Sequence, residues 1–171
     1  MKQILLLLLC STCILSCGIT YKNISEDASG HIIDSEYTGK GKYICKIYNG
    51  RRPLSYMTSG DKYIGEWENG KFHGQGKIIY PWGRKRKKYI GEFKNGYRHG
   101  TGILKSKLGL KYVGEWQNDK YHGQGTLNLT WGGVYTGEFK SWQYHGKGKM
   151  TYPDGTIKEG LWENGEFIGE K

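Results

Sequence analysis

The sequence predicts an all-β protein built of stacked antiparallel β-hairpins, and three observations predict it. A fourteen-residue phrase recurs: YIGEWENGKFHGQG from Tyr63, YIGEFKNGYRHGTG from Tyr89, YVGEWQNDKYHGQG from Tyr112 and YTGEFKSWQYHGKG from Tyr135. Its glycine markers Gly65, Gly91, Gly114, Gly137 and Gly160 advance by 26, 23, 23 and 23 residues, a period that belongs to solenoids and arrays. Within a unit the pattern alternates with period two. Tyr112, Gly114 and Trp116 point one way and Val113 and Glu115 the other, as in a strand with one buried face.

Composition excludes the main alternatives. The 28 glycines weaken helices, while 14% aromatic residues argue against a disordered chain. The net charge of +10 is unevenly spread, because Arg84, Lys85, Arg86, Lys87 and Lys88 form one run.

The elements follow in chain order. MKQILLLLLCSTCILSCG is apolar over a stretch too short for the ~20 residues of a membrane-spanning helix, so it reads as an export signal. Its end, Leu15, Ser16, Cys17 and Gly18, resembles a bacterial lipobox, which implies a signal peptide over 1–16 and lipid on Cys17. The expected location is the bacterial cell envelope, with the chain anchored as an outer-membrane lipoprotein. Cys10 and Cys13 would leave with the signal. Cys45 then stands without a disulfide partner and is expected to serve as a small buried hydrophobe. Residues 17–36 are a polar tether and 37–62 a degenerate first repeat. Units follow over 63–88, 89–111, 112–134 and 135–157, with a partial capping unit over 158–171.

Asn69-Gly70, Asn95-Gly96 and Asn164-Gly165 supply turn chemistry in the connecting loop of their units. The segment QNDKYHG is read as a connecting loop. The strand after it is expected to turn Gly125, Leu127, Leu129 and Trp131 toward the core. A lone hairpin cannot offset the entropy of ordering its residues, so each unit must be its neighbour's packing partner. Equivalent positions in adjacent hairpins then lie two strands apart, about 9.5 Å.

That geometry weighs on every candidate site. His73, His99, His122 and His145 share one register, but ligands must converge within about 2 Å of one ion, so loop or turn hydrogen bonding is the better reading. Glu66, Glu92, Glu115 and Glu138 form a second row in like surroundings. An acid–base pair needs two unlike environments, so they are read as cross-strand or loop support. Gly123-Gln124-Gly125 precedes a strand rather than a helix, which removes a phosphate loop. Tyr63, Trp67, Tyr89, Phe93, Tyr112, Trp116, Tyr135 and Phe139 are expected to form the core. A single sheet has no second layer, so part of this aromatic face is also a candidate groove for a peptide, glycan or lipid. The run Arg84–Lys88 is a candidate anion-binding patch for lipid headgroups or an acidic partner.

The pattern Tyr-x-Gly-Glu-Trp-x-Asn-Gly-x-x-His-Gly-x-Gly at a 23-residue step resembles the MORN (membrane occupation and recognition nexus) repeat over residues 63–169. The resemblance implies an elongated, twisted single-layer hairpin array and an association with membranes. The last unit departs from it, with Lys158, Leu161 and Ile168 where Tyr, Glu and His belong, as does Ser141-Trp142 in place of Asn-Gly. The function expected is a non-enzymatic, lipid-anchored protein-binding or scaffold module. Its partners are the membrane, a protein or a second copy, and anionic lipid or glycan as the alternative. No cofactor, metal or nucleic acid is expected.

Overall fold

The computed structural model describes residues 22–23, 39–44, 61–80 and 87–170. These form one twelve-stranded sheet whose spatial order is the chain order. The strands are β1 (Lys22–Asn23), β2 (Gly39–Ile44), β3 (Lys62–Glu68), β4 (Lys71–Tyr80), β5 (Lys87–Lys94), β6 (Tyr97–Ser106), β7 (Lys111–Gln117), β8 (Lys120–Asn128), β9 (Val134–Lys140), β10 (Gln143–Thr151), β11 (Ile157–Glu163) and β12 (Glu166–Gly169). The strands β2 to β12 pair antiparallel, while the two residues of β1 lie parallel to β2. Eleven spacings of about 4.8 Å make a sheet about 53 Å across its strands. Among the described residues there is no helix.

One continuous row sets the register. From Gly41 to Gly160, each glycine of the row is the cross-strand partner of the next. Over it lie the tyrosines. A Cβ on Gly114 would stand 2.6 Å from the Tyr112 hydroxyl and from the Gly125 Cα, so no larger residue fits between two backbones and a ring. The Tyr112 hydroxyl donates to the Glu115 carbonyl at 2.8 Å and reaches the His122 carbonyl at 3.4 Å. Tyr63 and Tyr135 repeat both bonds.

The repeated His-Gly-x-Gly is a bulge. In β7–β8 the register jumps from Gly114↔Gly125 to Glu115↔His122, leaving two residues of β8 without partners on β7. Gly123 adopts φ +52 there, and a side chain on it would strike the Glu115 carboxylate. That carboxylate accepts the Gln124 N–H at 2.8 Å. Glu92 takes the Thr101 N–H and hydroxyl, and Glu138 takes the Lys147 N–H, in the same way. Bulges bend the strand that carries them and increase its twist. Their recurrence on β4, β6, β8 and β10 brings the aromatic side chains of one face together.

Each hairpin closes through a two-residue turn with φ positive at both positions, the hand that suits twisted strands: Asn69-Gly70, Asn95-Gly96, Asn118-Asp119, Ser141-Trp142 and Asn164-Gly165. The segment QNDKYHG is therefore mostly strand rather than loop. Its Tyr121 is buried and stacks on Tyr112 at 3.8 Å, as Phe72 does on Tyr63 at 3.7 Å and Tyr144 on Tyr135 at 4.0 Å. At its other end, β8 stops at Asn128. Trp131 falls in the following turn, half exposed against Tyr152, instead of on the core face.

Repeat two breaks the stacking rule. Arg98 occupies the slot of Phe72, Tyr121 and Tyr144, buried, with its guanidinium 4.4 Å over the Trp116 ring and 5.7 Å from that of Tyr89. Its charge is met by the next unit's turn. Asp119 Oδ1 accepts both the Arg98 backbone N–H and Nε at 2.9 Å, and the Asp119 carbonyl accepts Nη2 at 3.1 Å. Trp142, from the turn after that, lies 5.8 Å from the guanidinium and packs on Tyr121. Three departures from the repeat, in three successive units, form one cluster.

Candidate interaction surface

The sequence-predicted sites fare differently. Cys17 and Arg84, Lys85 and Arg86 lie outside the described residues, as does Cys45's side chain. Lys87 and Lys88 open β5, and Lys88 is exposed.

The eight candidate groove aromatics are all core. Tyr63, Trp67, Tyr89, Phe93, Tyr112, Trp116, Tyr135 and Phe139 are each no more than 3% exposed, which removes them as a contact surface. The expectation of an open aromatic groove fails because the array supplies its own second layer. Each tyrosine ring receives an edge from its own unit and another from the next, as Tyr112 does from Trp116 at 5.2 Å and Phe139 at 5.2 Å. Trp116 and Trp162 also donate their indole N–H groups back to the Gly102 and Gly148 carbonyls. Burial pushes the Tyr135 and Tyr121 hydroxyls up to about 12, and raises those of Tyr63, Tyr89 and Tyr112 as well.

The histidine and glutamate rows lie on the other face. His73 Nδ1 sits 2.8 Å from Glu68. His73 and His99 flank a hollow of 290 Å³ with Glu92, whose carboxyl is held below its ordinary range by the hydrogen bonds from Thr101. Among the described residues no group of three or more His, Cys, Asp or Glu side chains could hold a metal ion.

What remains accessible is the face opposite the rings, where residues outside the histidine and glutamate rows do not repeat. Cross-strand register sorts them into rows. One runs Ile64, Lys77, Ile90, Ile103, Val113, Thr126, Thr136, Lys149, Glu159. Within it Ile90, Ile103 and Val113 are consecutive and 44%, 37% and 37% exposed, an aliphatic strip three strands wide. The adjoining row places Lys88, Lys105 and Lys111 directly across from one another, all exposed. On the strip's other flank stand Glu92, Thr101 and Glu115, tied to the bulges. Farther along, over β8–β11, the same face forms a shallow hollow of about 580 Å³ lined by Gln124, Thr136, Lys147, Lys149, Glu159 and Leu161. Lys149 and Glu159 pair there at 3.1 Å. The signal for these rows was present in the sequence as the positions that alternate with the aromatics, but it emerges only once register aligns them.

The family model for the MORN repeat matches residues 63–83, 89–107, 112–134 and 135–157, together half of the chain. The chain belongs to the MORN repeat family. Its MORN units are the hairpins described above, each match beginning on a ladder tyrosine. MORN repeats point to a protein- or membrane-binding repeat module, and the family is generally non-enzymatic. A comparison with curated proteins finds no match.

Proposed function

We propose that this MORN protein is a non-enzymatic binding module of the bacterial envelope, held at the outer membrane by lipid on Cys17, with the face opposite its aromatic ladder turned to a protein partner. The observation that carries the reading is the exposed aliphatic strip Ile90–Ile103–Val113, on positions where the repeat imposes no residue type. Exposed contiguous apolar surface of this kind marks interaction sites.

Two measurements test it. Metabolic labelling with palmitate should mark the wild-type chain and not Cys17→Ala; undiminished labelling removes the anchor. A photo-reactive amino acid placed in turn at Gln75, Lys88 and Thr136, all exposed on the outer face, should give an adduct of discrete mass in cells. Absence of any adduct at all three positions removes the protein-binding reading.

A second reading is direct contact with anionic lipid headgroups, supported by the basic run Arg84–Lys88 and the lysine row that continues it. Sedimentation with acidic liposomes that falls with salt, and vanishes when residues 84–88 are neutralised, supports it. Salt-independent sedimentation removes it.

A further inference from the structure

We propose that the outer face of β5–β7 docks an acidic amphipathic helix of a partner protein, laid across the strands. The proposal rests on the binding-module reading and names its surface and its ligand chemistry.

The first argument is electrostatic. Lys88, Lys105 and Lys111 face one another in direct register, and like charges so placed destabilise a sheet. Among the described residues these three lysines have no ion-pair partner. The nearest carboxylates on this face, Glu92 and Glu115, lie beyond the aliphatic strip and are engaged by the bulge N–H groups of Thr101 and Gln124. By contrast, Lys149 on β10 is balanced by Glu159 on β11. The cationic row is complementary to an anionic ligand supplied from outside.

The second argument is the order of the rows. Lysines, aliphatics and glutamates succeed one another at about 7 Å, two residues along a strand. An anionic membrane is uniform in its plane and would meet Glu92 and Glu115 together with the lysines. A helix has two different flanks. With its apolar stripe on Ile90, Ile103 and Val113, acidic side chains on one flank reach the lysines while amide or basic ones meet the glutamates.

The third argument is pitch. Apolar residues at i, i+3 or i+4, and i+7 recur every turn, about 5.4 Å along a helix, and the strands recur every ~4.8 Å. Over three strands the two spacings stay in step, so three turns of helix meet three aliphatic side chains.

The test uses the full chain and two synthetic 18-residue helical peptides. One carries a Leu stripe with Glu on one flank and Gln on the other; the second replaces each Glu by Lys. Fluorescence anisotropy should show the Glu peptide binding at least about tenfold more tightly than the Lys peptide and weakening with salt. Ile103→Asp should abolish binding. Lys88→Gln, Lys105→Gln and Lys111→Gln combined should remove the salt dependence, and Thr136→Asp should change nothing. If Ile103→Asp loses its strand circular dichroism, the triple lysine variant decides.

Equal affinity for the two peptides, or binding undiminished in both variants, overturns the proposal. So does failure of the Glu peptide to bind while vesicles containing 30% phosphatidylglycerol bind through the same lysines, which assigns the patch to a membrane. A cellular adduct from position 75 or 136 that persists in Ile103→Asp overturns this surface and leaves the binding module standing. Absence of adducts from every outer-face position removes both.

Discussion

The two faces of the sheet obey different rules. On the ladder face the two central rows keep their character from unit to unit: Tyr63, Tyr89, Tyr112 and Tyr135 in one, Trp67, Phe93, Trp116, Phe139 and Trp162 in the other. On the outer face the residue after each tyrosine drifts through Ile64, Ile90, Val113 and Thr136, and Glu159 holds the same place in the last unit. Repetition on the ladder face therefore reports mutual packing, since a ring that packs edge-on against another ring of the next hairpin cannot change alone. Residues released from that constraint are the ones available for recognition.

Alkali should break the contrast most completely. Folding buries the tyrosine hydroxyls and raises their pKa values, so it favours the protonated phenol. The stability this linkage provides is intact below the ordinary phenol value of about 10 and is lost as pH rises through about 12. Tyrosinate absorbance should therefore appear in step with the loss of strand circular dichroism between pH 10 and 12. Tyrosine ionisation well ahead of that loss would contradict the closed ladder.

Next in size, Gly114→Ala should cost about 3 kcal/mol in urea unfolding, because the new methyl meets two backbones as well as the Tyr112 hydroxyl. Arg98→Ala should cost about 2 kcal/mol by removing a buried charge-assisted pair. Arg98→Tyr combined with Asp119→Gly should recover most of that loss by restoring the stacked ring and turn residue of the other units, a coupling that a double-mutant cycle reads directly. Smallest of all, Ile103→Thr or Lys105→Gln should shift stability by no more than about 0.5 kcal/mol while altering binding. A large stability loss from either would mean that the outer face is structural too.

Much of the ladder face was legible from spacing alone. The 23-residue step and the period-two alternation located the strands, the glycine row and the central rings. The rest was not. Phe72, Tyr121 and Tyr144 follow the hairpin turn so closely that they read as loop, because nothing in one sequence distinguishes a two-residue turn with a later bulge from a seven-residue connection. The closure of the aromatic face was also hidden. It depends on the curvature introduced at Gly74, Gly100, Gly123 and Gly146, which alternation does not express. The glutamates were assigned a supporting role, but their use as acceptors for bulge N–H groups required the register jump to be seen. Trp142 read as an isolated departure from Asn-Gly, and nothing in the spacing linked it to Arg98 and Asp119 until pairing brought the three together.

The glycine row also makes chain length modular. The three extra residues of the 63–88 unit fall between β4 and β5, at the end of the hairpin, and Gly76 still meets Gly91 across the strands. Insertions at such junctions are absorbed without disturbing alignment, whereas one residue gained inside a strand would slide every ring off its glycine. A lineage of such proteins can thus lengthen by whole hairpins and decorate its junctions freely, while the interior of each hairpin stays closed to insertion.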